Sequence, residues 1–256
     1  MFKIKERGYF TLEEALSDLP GFQFRNIIGF NSYVFLRGIF SQNQSILVLI
    51  DGVQINELNS GGFYAGGQFN LSNVKKIEVV YGPASALYGT NAISGIINII
   101  TNDPEDIRGW RANALFGNFE TRNFDISYGD YDEATDFGFS LSGMYKQSDK
   151  ADLRGAKGDN NWTDSMENFE DDLSFDGKIV YKDFDMGLVF QDKQSSRTTN
   201  YKTIGAKYLD SGTHWHIRFV NGHFRYVYDK SSNWSNHSQL YYRNATVMNN
   251  TIAFIT

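Results

Sequence analysis

Apolar residues follow two different rhythms along this chain, and the change falls near Asp103. Ahead of it, "TLEEALSDLPG" sets Leu12, Ala15, Leu16 and Leu19 at helical spacing. Thr11 with Glu14 three residues on has the form of a capping box, and Pro20-Gly21 supplies the stop, which predicts a short helix. Strands then take over. "SILVLIDGV" (45 to 53) reads as a buried strand ending in an Asp51-Gly52 turn, and "VKKIEVVYG" and "IINIIT" complete a small sheet.

Beyond Gly109 the period becomes two. Trp215, Ile217 and Phe219 alternate with His214, His216 and Arg218, and Phe224, Tyr226 and Tyr228 alternate with His223 and Arg225. Asn221-Gly222 between them predicts a two-residue hairpin turn. The same alternation runs through Trp110 to Phe116, Phe124 to Tyr128, Phe137 to Leu141, Phe175 to Tyr181 and Met186 to Phe190, as in a meander of hairpins. Short connections at 129 to 136, 182 to 185 and 221 to 222 differ from long, polar ones at 147 to 172 and 191 to 213, with "GNFET" (117 to 121) an exception. Two architectures satisfy this pattern. A soluble β-sandwich alternates too, but its core is rich in Val, Ile and Leu. An outer-membrane barrel has short turns at one end, long loops at the other and aromatic girdles, and the rows here are heavy in Phe, Tyr and Trp.

Composition narrows the setting. The 256 residues include no cysteine, 24 glycines, 3 prolines and 16% aromatic residues, with a formal charge of −6. Apolar runs are far shorter than the roughly 18 residues of a membrane-spanning helix, which leaves strands of a barrel untouched by the argument. The acidic balance argues against nucleic acid as a partner. Disulfides and thiolate metal sites are excluded. "MFKIKERGYF" lacks the apolar core of a signal peptide, so the expectation is a cytoplasmic protein or a chain whose front is missing.

The glycine-rich stretch "IEVVYGPASALYGTNAISGIINIIT" (77 to 101) invites a catalytic reading and fails each test of it. Gly82, Gly89 and Gly95 lack the spacing and lysine of a phosphate loop, and Ser85, between Pro83 and Leu87, lacks the flanking glycines of a nucleophile elbow. The structural expectation is Ile77 to Tyr81 extended, Pro83 opening a helical turn, Gly89 ending it, and Ile96 to Ile100 as a second strand.

Taken in order, "RGYFTLEEALSDLPGF", "VFLRGI", "ILVLIDGVQIN", "VKKIEVVYGPASALYGTNAISGIINIIT" and the aromatic meander resemble the TonB-dependent outer-membrane receptors. The resemblance covers residues 7 to 103 almost continuously. It implies an α+β plug domain over residues 1 to 103, followed over 104 to 256 by strands of an incomplete antiparallel transmembrane β-barrel. It further implies a cell outer membrane location, with membrane lipid around the barrel and no covalent chemistry, metal or cofactor. Active uptake of a scarce, bulky ligand, such as an iron-siderophore complex or cobalamin, would be driven through TonB and its inner-membrane motor. A signalling receptor of the same fold and a soluble β-rich binding protein are the alternatives.

Site residues follow from the same resemblance. The plug loops that face the ligand match 25 to 34 and 56 to 69, which makes Asn31, Ser32, Tyr33, Asn56, Glu57, Asn59, Phe63 and Tyr64 the expected contacts. A latch between plug and barrel falls on Arg37, Glu78 and Tyr81; the family often has arginine where Tyr81 stands, and its carboxylate partners are expected beyond this chain. A plugged barrel has roughly 22 strands, and at about 9 to 11 residues per strand the residues after the plug hold eight or nine, so a fragment cut at both ends is expected.

Simpler readings cover the remaining candidates. His214, His216, His223 and His237 suggest a metal site but read as residues lining an aqueous interior. Glu167, Glu170, Asp171 and Asp172 lack calcium-loop spacing and read as a solvated outer loop. Asp51 reads as a turn former.

Overall fold

A computed structural model of the chain describes residues 4–26, 32–40, 45–58, 61–89, 91–149, 169–196, 214–231 and 234–251. After the one-turn helix α1 (Ile4–Arg7), helix α2 (Leu12–Ser17) starts where the capping box requires. The Glu14 amide donates to Thr11 Oγ1 at 3.2 Å, and Glu14 Oε2 accepts from the Thr11 amide at 3.3 Å. Its apolar face is Leu12 and Leu16, both fully buried.

Two small sheets follow. Strands β1 (Phe22–Asn26), β2 (Ser32–Leu36) and β3 (Ile39–Phe40) form the first. The second contains β4 (Ile46–Ile50) and β5 (Val53–Gln54), joined through Asp51 and Gly52. Both turn residues have positive φ, 47° and 76°, the type I′ geometry that suits the right-handed strand twist. Strand β6 (Tyr64–Ala65) adds to β2; β7 (Val74–Tyr81) and β8 (Gly95–Thr101) complete the second sheet in the order β5-β4-β8-β7. Strands β4 and β8 pair in parallel at its centre, which explains why β4 is an uninterrupted apolar run and β8 is apolar but for Asn98 and the terminal Thr101. Leu12, Leu16, Val34, Ile46, Val48 and Ile97 meet in one core with no exposed surface. Each such side chain contributes about 1.5–3 kcal/mol when removed from water.

Between β7 and β8, the turn α3 (Ser85–Tyr88) is capped by Gly89 at φ 86°. Pro83 lies ahead of the Ala84 cap instead of opening the helix. Helix α4 (Pro104–Ile107) then leads into seven antiparallel strands paired in sequence order: β9 (Gly109–Phe116), β10 (Arg122–Asp132), β11 (Phe137–Ser148), β12 (Glu170–Tyr181), β13 (Phe184–Ser195), β14 (Trp215–Ser231) and β15 (Trp234–Val247). These strands form a wall beside the α+β unit. Seven strands among the described residues compare with the eight or nine expected. Strands β11 to β15 run to 12 residues or more, longer than the division assumed.

One expected turn is absent. Asn221 and Gly222 sit in the middle of β14, paired with Val189 and Leu188 on one side and with Arg243 and Tyr242 on the other. What changes there is the face that carries the apolar residues. Phe224, in the half towards Ser231, points away from the α+β unit. Ile217 and Phe219, in the half towards Trp215, point inward and are buried against Tyr33 and Tyr64. A phase shift in alternation, taken alone, looks like a turn; here it is one strand touching two surroundings.

The outward face of the wall is exposed and apolar from strand to strand, including Trp110, Ile126, Leu141, Phe175, Leu188 and Leu240. The inward face holds polar and charged residues, with Asp172 fully buried and Lys193 at 2% exposure. That is the inside-out arrangement of a membrane barrel. A soluble sandwich would bury the aromatic rows.

Candidate functional site

The chemistry of this chain is concentrated where the α+β unit meets the inward face of the wall. Near the short-turn end of the strands, Asp51 is held by residue 101: its Oδ1 accepts from the Thr101 amide at 2.9 Å and its Oδ2 from Thr101 Oγ1 at 2.6 Å. Lys178 of β12 reaches both Asp51, at 3.4 Å, and Asp103, at 3.1 Å. Lys75 of β7 approaches Asp103 at 3.0 Å and Asp106 at 2.7 Å. Burial pushes the Asp103 carboxyl up, but the Lys178 and Lys75 ammonium groups outweigh it and hold the carboxyl below its ordinary value. Asp106, followed by Asp103, raises Lys75 against the opposing effect of burial. Arg225 of β14 donates to the Asp51 carbonyl, and Arg243 of β15 donates to Gln54 Oε1 and the Asn56 carbonyl, each at 3.1 Å. Asp51 therefore does more than form its turn.

Helix α4 lies directly on the wall because β10 and β11 carry glycines there. A Cβ on Gly129 would sit 2.7 Å from Ile107 Cβ, and one on Gly138 would sit 2.9 Å from Pro104 Cβ.

Towards the long-connection end, the turn at residues 66 to 70 is gripped by a second set of wall residues. Glu170 accepts from the Gly67 amide at 3.0 Å, Gln191 donates to the Gln68 carbonyl at 3.1 Å, and Asn70 donates to Ser142 Oγ at 2.9 Å. Lys146 and Lys193 reach Glu170 at 3.1 and 3.5 Å, and Lys193 approaches Asp172 at 4.0 Å. The ammonium groups come so close that a Cβ on Gly66 or Gly67 would overlap them. The acidic run is thus not a solvated loop over its described part. Glu170 and Asp172 belong to β12 and point inward, whereas Asp171 alternates to the other face; Glu167 lies outside the described residues.

The expected ligand contacts divide. Tyr33 and Tyr64 meet edge to face with centroids 6.3 Å apart, and Tyr64 meets Trp215 at 6.4 Å, forming an aromatic group at the long-connection end. Ser32 belongs to β2. Glu57 is buried, its amide donating to the Gly62 carbonyl. Asn56 and Phe63 do other work. Asn56 accepts from the Val48 amide and donates to the carbonyls of Ile46 and Gly61, holding the loop to β4, and Phe63 packs on Phe69 inside the core at 2% exposure. Asn31 and Asn59 lie outside the described residues.

The plug residues of the expected latch lie close to other plug residues. The Arg37 guanidinium stands 5.2 Å from the centre of the Tyr81 ring, and Glu78 pairs with Lys76 at 2.7 Å. Burial raises the Tyr81 phenol, with Arg37 acting in the opposite sense. Histidines do not converge either: His214 pairs with Gln194, His216 with Asp192 and Asn250, and His223, on the opposite face of β14, with Asp185. Without a turn at Asn221 they are spread along one strand. Among the described residues no group of carboxylates and histidines could hold a metal ion.

Lysines 146, 178 and 193 are the residues that sequence reasoning passed over. Each occupies an inward position of a strand whose other face is aromatic or aliphatic, and a charge at such a position needs a partner inside.

Residues 2–96 match the family model of the TonB-dependent receptor plug domain. Among solved structures, the chain is similar to the FrpB iron transporter from Neisseria meningitidis, with a TM-score of 0.70 at 17% identity over 93% of this chain and 38% of that one. It is also similar to the pyoverdine outer membrane receptor FpvA from Pseudomonas aeruginosa, with a TM-score of 0.69 at 13% identity over 94% and 35%. For the ferric yersiniabactin uptake receptor FyuA from Yersinia pestis the TM-score is 0.63 at 17% identity over 94% and 40%. The chain thus spans well under half the length of these receptors. Plug, inside-out wall and the ionic seam between them agree with the match: residues 2–96 form a TonB-dependent receptor plug domain, and the chain as a whole has the fold of such a plug with part of an outer-membrane barrel wall.

Proposed function

We propose that this receptor takes up a bulky ferric-siderophore-type ligand across the outer membrane, with energy delivered to the plug through TonB. The observation that carries this reading is a plug packed as a folded unit against a polar inner wall. Such a unit closes the barrel at rest and has to rearrange before a large solute passes. The names of the similar receptors point to iron and siderophores, which favours that class over cobalamin.

Of the expected contacts, Tyr33 and Tyr64 with Trp215 are the ones we retain for the ligand; the two tyrosines are 3% and 8% exposed in the packed plug, so only the partly buried Trp215 is open to a ligand until the plug rearranges. They lie at the end of the strands that carries the long connections, and flat aromatic surfaces suit a large, rigid chelate. Ser32, Asn31, Glu57 and Asn59 flank them in sequence. Phe63 and Asn56 support the loop from below.

The test is uptake of iron-55 bound to a panel of siderophores, with labelled cobalamin alongside, in cells with and without the gene. Accumulation of at least one ferric chelate should require the gene and stop when a protonophore collapses the energy supply. Gene-dependent accumulation of cobalamin alone, or accumulation that persists with the protonophore, would overturn the proposal.

A further inference from the structure

We propose that Lys178 seats the plug in the wall, and that the contact at the Asp51 hairpin places its cations on the wall and its acceptors on the plug. The expected latch had the opposite polarity, with plug arginine reaching for wall carboxylates. Among the described residues, Arg37 faces the Tyr81 ring and Glu78 pairs with Lys76. Three wall cations instead converge on one plug hairpin. Lys178 takes the Asp51 carboxylate, Arg225 the Asp51 carbonyl, and Arg243 the Gln54 side chain with the Asn56 carbonyl.

Lys178 differs from the two arginines in what else it holds. Its second partner, Asp103, lies in the short link by which the plug chain crosses to the wall, and Asp51 is bonded to Thr101 at the start of that link. One ammonium group therefore ties the hairpin and the crossover to the same point of β12. Lys178 and Asp51 side chains are each 8% exposed. A buried pair of this kind adds little net stability, because desolvation offsets attraction, yet loss of one partner strands the other charge. Its effect is positional. Asp176 occupies the next inward position of β12, so without Lys178 the hairpin would present the Asp51 carboxylate to a second carboxylate.

The inference rests on the plug-and-wall architecture and needs no ligand identity, so it is tested by leakage without any ligand. The receptor is expressed from its full reading frame, its amount in the outer membrane is matched by immunoblot, and entry of vancomycin is read as growth inhibition. Lys178→Met should leak, raising vancomycin sensitivity several-fold, and Asp103→Asn should raise it less, because Asp51 still holds the ammonium. Lys178→Arg, which keeps the cation, should remain as tight as the parent. A Lys178→Met protein too unstable to reach the membrane leaves Asp103→Asn against Lys178→Arg as the deciding pair. Tight barrels in both disrupting variants would overturn the proposal, and so would leakage in Lys178→Arg equal to that of the disrupting variants.

Discussion

The plug and the wall follow opposite rules of burial within one chain. The plug buries Leu12, Val48 and Ile97 completely and leaves Lys75, Lys76 and Glu78 half exposed, as a soluble domain does. The wall leaves Leu141 at 47% and Leu240 at 73% exposure while it encloses Asp172, Lys178 and Lys193. The difference lies in what each surface meets. Apolar area is driven away from water, and for the wall the place away from water is the outside. A mean over both halves hides this, which is why the average hydropathy of the chain says little about its setting.

The largest effect that would sharpen the comparison is expected at a buried wall charge. Lys193→Met leaves Asp172 without its nearest ammonium partner and should destabilise the folded receptor by about 3–5 kcal/mol. Urea unfolding of the receptor in lipid or detergent checks it; a change below about 1 kcal/mol would mean the inner face is as wet as an ordinary protein surface.

A smaller effect is expected on the outer face. Leu141→Arg alters a residue that is nearly half exposed, where a soluble protein would show within about 0.5 kcal/mol of no change. In a bilayer the same substitution should cost about 2–3 kcal/mol, read from folding equilibria in lipid vesicles. Neutral behaviour in lipid would break the distinction between the two regions.

The smallest effect concerns pH at the plug-to-wall link. Asp103 has its folded-state value lowered by Lys178 and Lys75, so its contribution is present above the ordinary carboxylate range and is lost as pH falls through the lowered value. Hydrogen exchange at residues 101 to 106 should therefore rise, after correction for intrinsic exchange, when a neutral sample is acidified below that range. Asp103→Asn should remove the acid dependence; an unchanged dependence in that variant would assign it to other carboxylates.

Local signals in the sequence carried the plug. The Thr11–Glu14 box, the Asp51-Gly52 turn and the apolar runs of β4 and β8 each encode structure over a few residues, so their reading matched the fold. They did not assign partners: Asn56 and Phe63 looked like exposed loop residues because nothing local shows that a loop folds back on its own core.

In the wall, alternation fixed strand content and the outward aromatic rows, since a period of two survives whatever a strand packs against. Where a strand changes partners, alternation misleads. The shift near Asn221 reads as a turn, and only the packing of Ile217 and Phe219 on the plug shows a single strand. Charges were the least legible of all. Glu170 and Asp172 resemble any acidic loop in sequence, and Lys178 resembles any surface lysine. Their roles come from groups about a hundred residues away in the chain, such as Gly67 beside Glu170, so distance in space, which sequence does not contain, decided them.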